Sequence, residues 1–116
     1  MLTPDWILEA LARERTIDIT TTGRRSGRPR RIETWAWLLD GSVYLTGTPG
    51  RRDWYANLRA KPDFTVHLKH GTRADLPARA RPIEDEAGRR AVFERLRPGQ
   101  ADAWTAASPL VQVEFL

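Results

Sequence analysis

Residues 20–31, TTTGRRSGRPRR, concentrate more potential chemistry than any other stretch of the chain. Arg24, Arg25, Arg28, Arg30 and Arg31 fall within eight positions, and no acid interrupts them. Gly23 and Gly27 open backbone conformations closed to other residues and let a ligand approach the main chain. Consecutive amides in such a turn can form a nest for an anion. Hydroxyls add donors, and guanidiniums on both sides can grip phosphate or carboxylate oxygens with two prongs. A phosphorylated small molecule, a nucleic acid or an anionic membrane surface would each suit this chemistry. A solvated hairpin tip that blocks aggregation would account for the same residues.

Aromatic residues form a second group. Five tryptophans are many for 116 residues. Trp35 and Trp37 lie two apart in a strand pattern and so share a face with Glu33 and Leu39. Ile32, Thr34, Ala36 and Leu38 make the opposite face, which reads as the core side. The tryptophan face can receive a flat aromatic ligand, a partner subunit or the terminal helices. Trp54, Asn57, Leu58 and Lys61 fall on one stripe of a short helix. Trp54 and Leu58 anchor that helix, and Asn57 either satisfies a loop carbonyl or reaches a ligand.

Other constellations are missing. There are no cysteines, which excludes disulfides and thiolate chemistry. His67 and His70, three apart in a strand pattern, are expected on opposite faces and cannot share a metal. No metal site is expected. Ser26, Ser42 and Ser108 lack a nucleophile-elbow context, and no phosphate loop or dinucleotide fingerprint is present. Glu84, Asp85 and Glu86 open a helix, where their charge suits its dipole. With so few side chains suited to acid–base work, a bound cofactor is the natural carrier of any reaction.

The elements that must position these groups can be read along the chain. A first helix starts near Thr3 as cap and Pro4 at its first position, with Trp6 or Ile7 joining Ala10 and Leu11 on the apolar side. Strands follow at 16–22, 30–40 and 42–48, the last two joined by an Asp40-Gly41 hairpin signal. A helix at 53–60 stops before Pro62. Strands at 63–70 and 74–83, a helix at 84–97, a short helix at 101–107 and a strand at 110–115 complete the order. The fold class is mainly β with helices. About six mostly antiparallel strands imply a small closed or half-closed barrel with helices on its rim.

The bulk properties agree with one soluble domain over 1–116. The chain is 41% hydrophobic and 29% charged, with no apolar run long enough to span a bilayer. Its first residues carry acids and lack a basic start followed by an apolar stretch, so a cytoplasmic location is expected. The net charge is +4, and all but two of the nineteen bases are arginine. That charge points to an anionic partner.

Two linked motifs are similar to those of the deazaflavin (coenzyme F420)-dependent nitroreductase and quinone reductase family. One is T-T-G-R-[RK]-[ST]-G-x-P-R, here residues 21–30. The other is W-Y-x-N-L-x-A-x-P, here residues 54–62. The resemblance covers roughly residues 16–116 and implies a split β-barrel, related to FMN-binding barrels, that passes a hydride from reduced deazaflavin to an electron-poor acceptor. Carried over residue by residue, it places Arg24, Arg25, Ser26, Gly27 and Arg30 at the coenzyme's phosphate and acidic tail. Trp35, Thr48, Trp54 and Asn57 are placed along the rest of the cofactor. Trp37, Tyr44 and Trp104 fall in the pocket for a small hydrophobic acceptor: a quinone, nitroaromatic or activated alkene. The completing proton would come from water or Tyr44. The family's reducers often carry a basic residue just before the glycine after the third strand. Here Thr48-Pro49-Gly50 is followed by Arg51 and Arg52. This chain also has Trp104 where those reducers carry tyrosines. Three alternatives stay open at this point: an FMN-binding split barrel, a coenzyme carrier, and a nucleic-acid-binding barrel. Nucleic acid is not the expected partner, and a homodimer is possible.

Overall fold

A computed structural model describes residues 3–116. Six strands form: β1 (Thr16–Thr22), β2 (Pro29–Leu39), β3 (Ser42–Thr46), β4 (Asp63–Leu68), β5 (Ala74–Pro82) and β6 (Leu110–Phe115). They close into a barrel in the order β1-β2-β3-β6-β5-β4. All six pairings are antiparallel, as short connections favour. Asp40 and Gly41 turn β2 into β3 with φ of 50° and 76°, the double left-handed geometry of a two-residue hairpin.

Strand alternation decides what fills the barrel. Ile17 and Ile19 of β1, Ala36 of β2, Val43 and Leu45 of β3, Phe64 and Val66 of β4, Ala78 and Ala80 of β5, and Val111 and Val113 of β6 all point inward and are buried. The helix α1 (Asp5–Arg13) adds Ile7, Ala10 and Leu11 to this core, while Trp6 stays 48% exposed. Its cap position is Pro4, one residue later than the Thr3 the sequence pattern implies, and no side-chain capping bond forms there. The helix α2 (Asp53–Ala60) anchors through Trp54 and Leu58.

Two further helices, α3 (Glu86–Leu96) and α4 (Ala101–Ala107), cover the outside of the barrel wall. Val92, Phe93, Ala101, Trp104 and Leu110 form a second apolar cluster there, with Leu39 and Tyr44 packed against it. Asp85 caps α3 by accepting a hydrogen bond from the Gly88 amide at 2.7 Å, which costs a Ser/Thr/Asp-capped helix about 1 kcal/mol when lost. Arg89 is buried and donates to the carbonyls of Ile83, Trp104, Thr105 and Ser108. It ties the end of α4 to α3, a role the sequence did not reveal. Among the described residues no helix is long and apolar enough to cross a membrane.

One face assignment changes. Ile32 belongs by alternation to the core side of β2, yet it is 37% exposed. The reason is local. β2 pairs with β1 along 29–35 but reaches β3 only from Ala36 onward. Its first half therefore extends beyond the packed interior as part of a protruding hairpin.

Candidate functional site

The protruding β1–β2 hairpin is held in one shape by its own hydrogen bonds and by α2. The Gly23 amide donates to the Arg28 carbonyl at 2.8 Å, and the Gly27 amide to the Gly23 carbonyl at 2.9 Å. The Arg28 amide donates to Ser26 Oγ at 3.1 Å. Gly27 has φ of 71°, in the left-handed region. A Cβ on Gly23 would lie 2.4 Å from Ser26 Oγ and 3.3 Å from the Arg28 carbonyl oxygen, so a larger residue there would push the Ser26 hydroxyl off the Arg28 amide.

Asn57, 4% exposed, is the link to α2. Its Oδ1 accepts from the Arg24 amide at 3.1 Å and from Arg24 Nη1 at 2.9 Å. Its Nδ2 donates to Thr21 Oγ1 at 3.3 Å. Asn57 thus bonds a loop amide and a guanidinium, where sequence reasoning offered a loop carbonyl or a ligand. The amides of Gly23, Arg24, Gly27 and Arg28 are all engaged within the protein. These four amides therefore contribute nothing to the anion nest expected from the glycines, and guanidiniums remain as the main source of anion contacts.

Between this hairpin and α2 lies a cleft of about 310 Å³, lined by Thr21, Gly23, Arg24, Arg25, Ser26, Arg30, Ile32, Asp53, Trp54 and Asn57. Its volume is at the low end for ligand sites, enough for part of a large cofactor. Three guanidiniums oppose one carboxylate on its walls. That carboxylate, Asp53, is 91% exposed and 3.4 Å from Arg24 Nη2, a pair of little energetic weight. Among the described residues no acid pairs with Arg25, Arg28 or Arg30. The cleft is a positive site with an apolar wall of Trp54 and Ile32.

Alternation along β2 sends Arg30 into the cleft and Arg31 to the other face. There Arg31 Nε donates to Asp18 Oδ2 at 3.0 Å, and Lys69 Nζ donates to Asp18 Oδ1 at 2.6 Å and to Glu33. The Lys69 ammonium holds the Asp18 carboxyl below its usual range, against burial and with help from Arg31. Asp18, and then Glu33, raise Lys69 in return. Arg31 is thereby removed from the anion-binding set.

Of the residues singled out from sequence, the structure gathers Arg24, Arg25, Ser26, Arg30, Trp54 and Asn57 on one cleft. Gly27 shapes the turn without forming a wall. Trp35 shares the outer face with Arg31, is 56% exposed and does not line the cleft. Thr48 and Trp104 border a different, open depression of about 720 Å³ beside α4. Trp37 meets Trp104 edge to face at 6.2 Å, and Trp104 meets Phe93 at 5.7 Å. Tyr44 packs in the same cluster. The terminal helices therefore cover Trp37, and Tyr44 is remote from the arginine cleft. Arg52 donates through Nη2 to both the carbonyl and the hydroxyl of Thr48, each at 3.0 Å. It closes its own loop and leaves Arg51 as the free basic group there.

Thr21, Ile32 and Asp53 line the cleft without having been singled out. Alternation offered a signal for two of them. Thr21 has the inward parity of Ile17 and Ile19, and Ile32 has the parity of Arg30. The histidines also differ from expectation. His67 shares a hydrogen bond with Thr20 Oγ1 at 2.7 Å and another with Asp75 Oδ1 at 2.6 Å, and the latter lowers the Asp75 carboxyl. His70 meets Thr16 Oγ1 at 3.2 Å. Both reach even-numbered threonines of β1, because β4 ends at Leu68 and its alternation does not extend to His70. Among the described residues no cluster of metal-ligating side chains occurs.

A family model described as F420H(2)-dependent quinone reductase matches residues 8–113. Solved structures share the fold at low identity. An F420-H2 dependent reductase is 23% identical with a TM-score of 0.58, covering 87% of this chain and 95% of its own. A FAD-binding protein from Mesorhizobium loti is 17% identical with a TM-score of 0.66, covering 98% and 88%. A chain described as a domain-swapped dimer is 22% identical with a TM-score of 0.60, covering 95% and 98%.

Proposed function

From the premise that the chain belongs to the F420H(2)-dependent quinone reductase family, we propose that the arginine cleft is where it holds its coenzyme. The chain is an F420-dependent oxidoreductase. When bound, reduced F420 supplies a hydride for an electron-poor acceptor. The chain's own residues bind, orient and exclude water. Arg25 and Arg30 take the anionic part of the coenzyme through charge-assisted contacts. Arg24, fixed by Asn57, completes the positive wall. Trp54 and Ile32 offer flat apolar surface to a ring and displace water from it.

The observation that carries this assignment is the coincidence, on one cleft, of Arg25 and Arg30, which have no acid partner among the described residues, and an apolar wall. Tyr44 does not line the cleft, so of water and Tyr44 as sources of the completing proton, this reading takes water. Acceptors are quinones, nitroaromatics or activated alkenes, with Thr48 and Trp104 bordering a second depression that can take their apolar bodies. Location in the cytoplasm and action as a homodimer belong to the same proposal, and the domain-swapped state of one structural neighbour supports the latter.

Turnover tests the enzymatic part. Reduced F420 is mixed with menadione or a nitroaromatic, and deazaflavin absorbance is followed with and without protein. Protein-dependent oxidation is the expected result. Tight coenzyme binding without turnover on any of these acceptor classes would make the chain a carrier instead.

A further inference from the structure

We propose that Arg52 is a positioning residue: its guanidinium holds a segment that borders both the coenzyme cleft and the depression beside α4, and so sets where the acceptor lies relative to the coenzyme. This rests on the reading of those two cavities given above. Residues 47–52 link the end of β3 to the start of α2. Thr48 and Pro49 line the depression. Asp53 and Trp54, just beyond the other end of the same segment, line the cleft. A shift of these few residues therefore moves one cavity against the other.

Both ends of the segment are fixed. Thr46 is buried in the barrel wall, and its hydroxyl donates to the Pro109 carbonyl at 2.5 Å. α2 is pinned by Trp54 and Leu58 in the core and by Asn57 at the hairpin. Among the described residues no strand pairs with 47–52. The Gly50 amide donates to the Ala107 carbonyl, at the end of α4, at 3.0 Å. Arg52 supplies the other ties. Its Nη2 donates to the carbonyl and hydroxyl of Thr48, each at 3.0 Å, and its Nη1 donates to the Arg51 carbonyl at 3.2 Å. The Arg52 carbonyl in turn accepts from the Ala56 amide of α2 at 3.2 Å. One residue thus carries the anchored position of α2 to Thr48 on the depression.

The segment is shaped around this guanidinium. A Cβ on Gly47 would lie 3.4 Å from Nη2, and one on Gly50 would lie 3.1 Å from Nη1, where φ is also 138°. Among the described residues Arg52 has no acid within ion-pair distance, and it does not line the coenzyme cleft. Its role is geometric rather than electrostatic. Two nitrogens of one planar fork bond the carbonyls of Thr48 and Arg51 at once, a span that an ammonium on a flexible stem does not reproduce. Transfer between two bound molecules needs the reacting atoms about 3–3.5 Å apart, and a misplacement of about 1 Å can cost roughly 100-fold in rate.

Arg52→Ala, Arg52→Lys and Thr48→Val are compared with wild type by three readouts. Hydrogen exchange of the Gly50 amide needs no coenzyme. It should run about tenfold faster in both Arg52 variants, with an unchanged circular dichroism spectrum. F420 affinity should match wild type, because α2 keeps its own anchors. With reduced F420 and menadione, kcat/KM for menadione should fall roughly 10- to 100-fold in both Arg52 variants. The fall should be smaller in Thr48→Val, which removes one of the acceptors of Arg52 and leaves two carbonyls. Full activity in Arg52→Lys would assign the effect to charge and overturn the proposal. So would unchanged Gly50 exchange in Arg52→Ala, or a loss of F420 affinity as large as the loss of kcat/KM. A wild type that neither binds nor oxidises reduced F420 would instead sink the coenzyme reading, and Gly50 exchange would still decide whether Arg52 holds the segment.

Discussion

Asn57→Ala tests how the arginine turn is built. The substitution removes the acceptor of two hydrogen bonds from Arg24 and the donor of one to Thr21, all at a site only 4% exposed. Each net hydrogen bond contributes about 1 kcal/mol, and a buried amide left without a partner costs about 1–3 kcal/mol. The Arg24 guanidinium can turn to water, but its backbone amide lies in a folded turn and regains less. A loss of about 3 kcal/mol follows. With a urea slope of about 1.5 kcal/mol per molar, the midpoint should fall by about 2 M. Asn57→Asp keeps the acceptor and can take the Thr21 hydroxyl proton as donor, so its midpoint should stay closer to wild type. It also adds a negative charge to the cleft, so F420 affinity should fall although the fold is retained. The assay is urea unfolding by tryptophan fluorescence, paired with coenzyme titration of each folded variant. An Asn57→Ala midpoint equal to wild type would refute the claim that α2 holds the turn through Asn57.

Two other perturbations probe the frame around the site. Arg89→Leu strands four carbonyls beneath α3 and α4 and should cost about 3 kcal/mol or more, seen as a lower thermal midpoint. Asp18 has a depressed folded-state pKa, caused first by Lys69. Its stabilising contribution is present above the unfolded value near ~3.9 and is lost as pH falls through the folded value. Asp18→Asn should therefore flatten the acid limb of the stability profile below about pH 4 while lowering stability at neutral pH; an unchanged acid limb would show that the Lys69–Asp18–Arg31 network carries no linkage.

Much of this molecule could be read before folding because its strands are short and regular. β1, α2, α4 and β6 begin and end where the residue pattern places them. The Asp40-Gly41 turn was legible for the same reason, since two adjacent left-handed residues need that pair. The arginine cleft was legible in its members because they sit within one turn and one helix stripe. What local pattern could not show was the pairing beyond each hairpin. Trp35 and Trp37 share a face, yet only Trp37 lies under α4. Ile32 has core parity but stands past the end of the barrel. Thr48, Tyr44 and Trp104 gather around α4 because the chain after β3 departs from the hairpin, a matter of barrel closure that no window of sequence contains. Arg89 was hidden because a buried arginine paired only with carbonyls leaves no spacing signal.

The most direct test of the coenzyme site compares neighbouring arginines that alternation sends to opposite faces. F420 is titrated into wild type, Arg30→Ala and Arg31→Ala, with quenching of tryptophan fluorescence as the signal. Arg30→Ala should weaken binding by ~1–3 kcal/mol, roughly tenfold for each 1.4 kcal/mol, and Arg31→Ala should leave the affinity close to wild type. Equal losses in both variants, or an unchanged affinity in Arg30→Ala, would contradict the placement of F420 in this cleft.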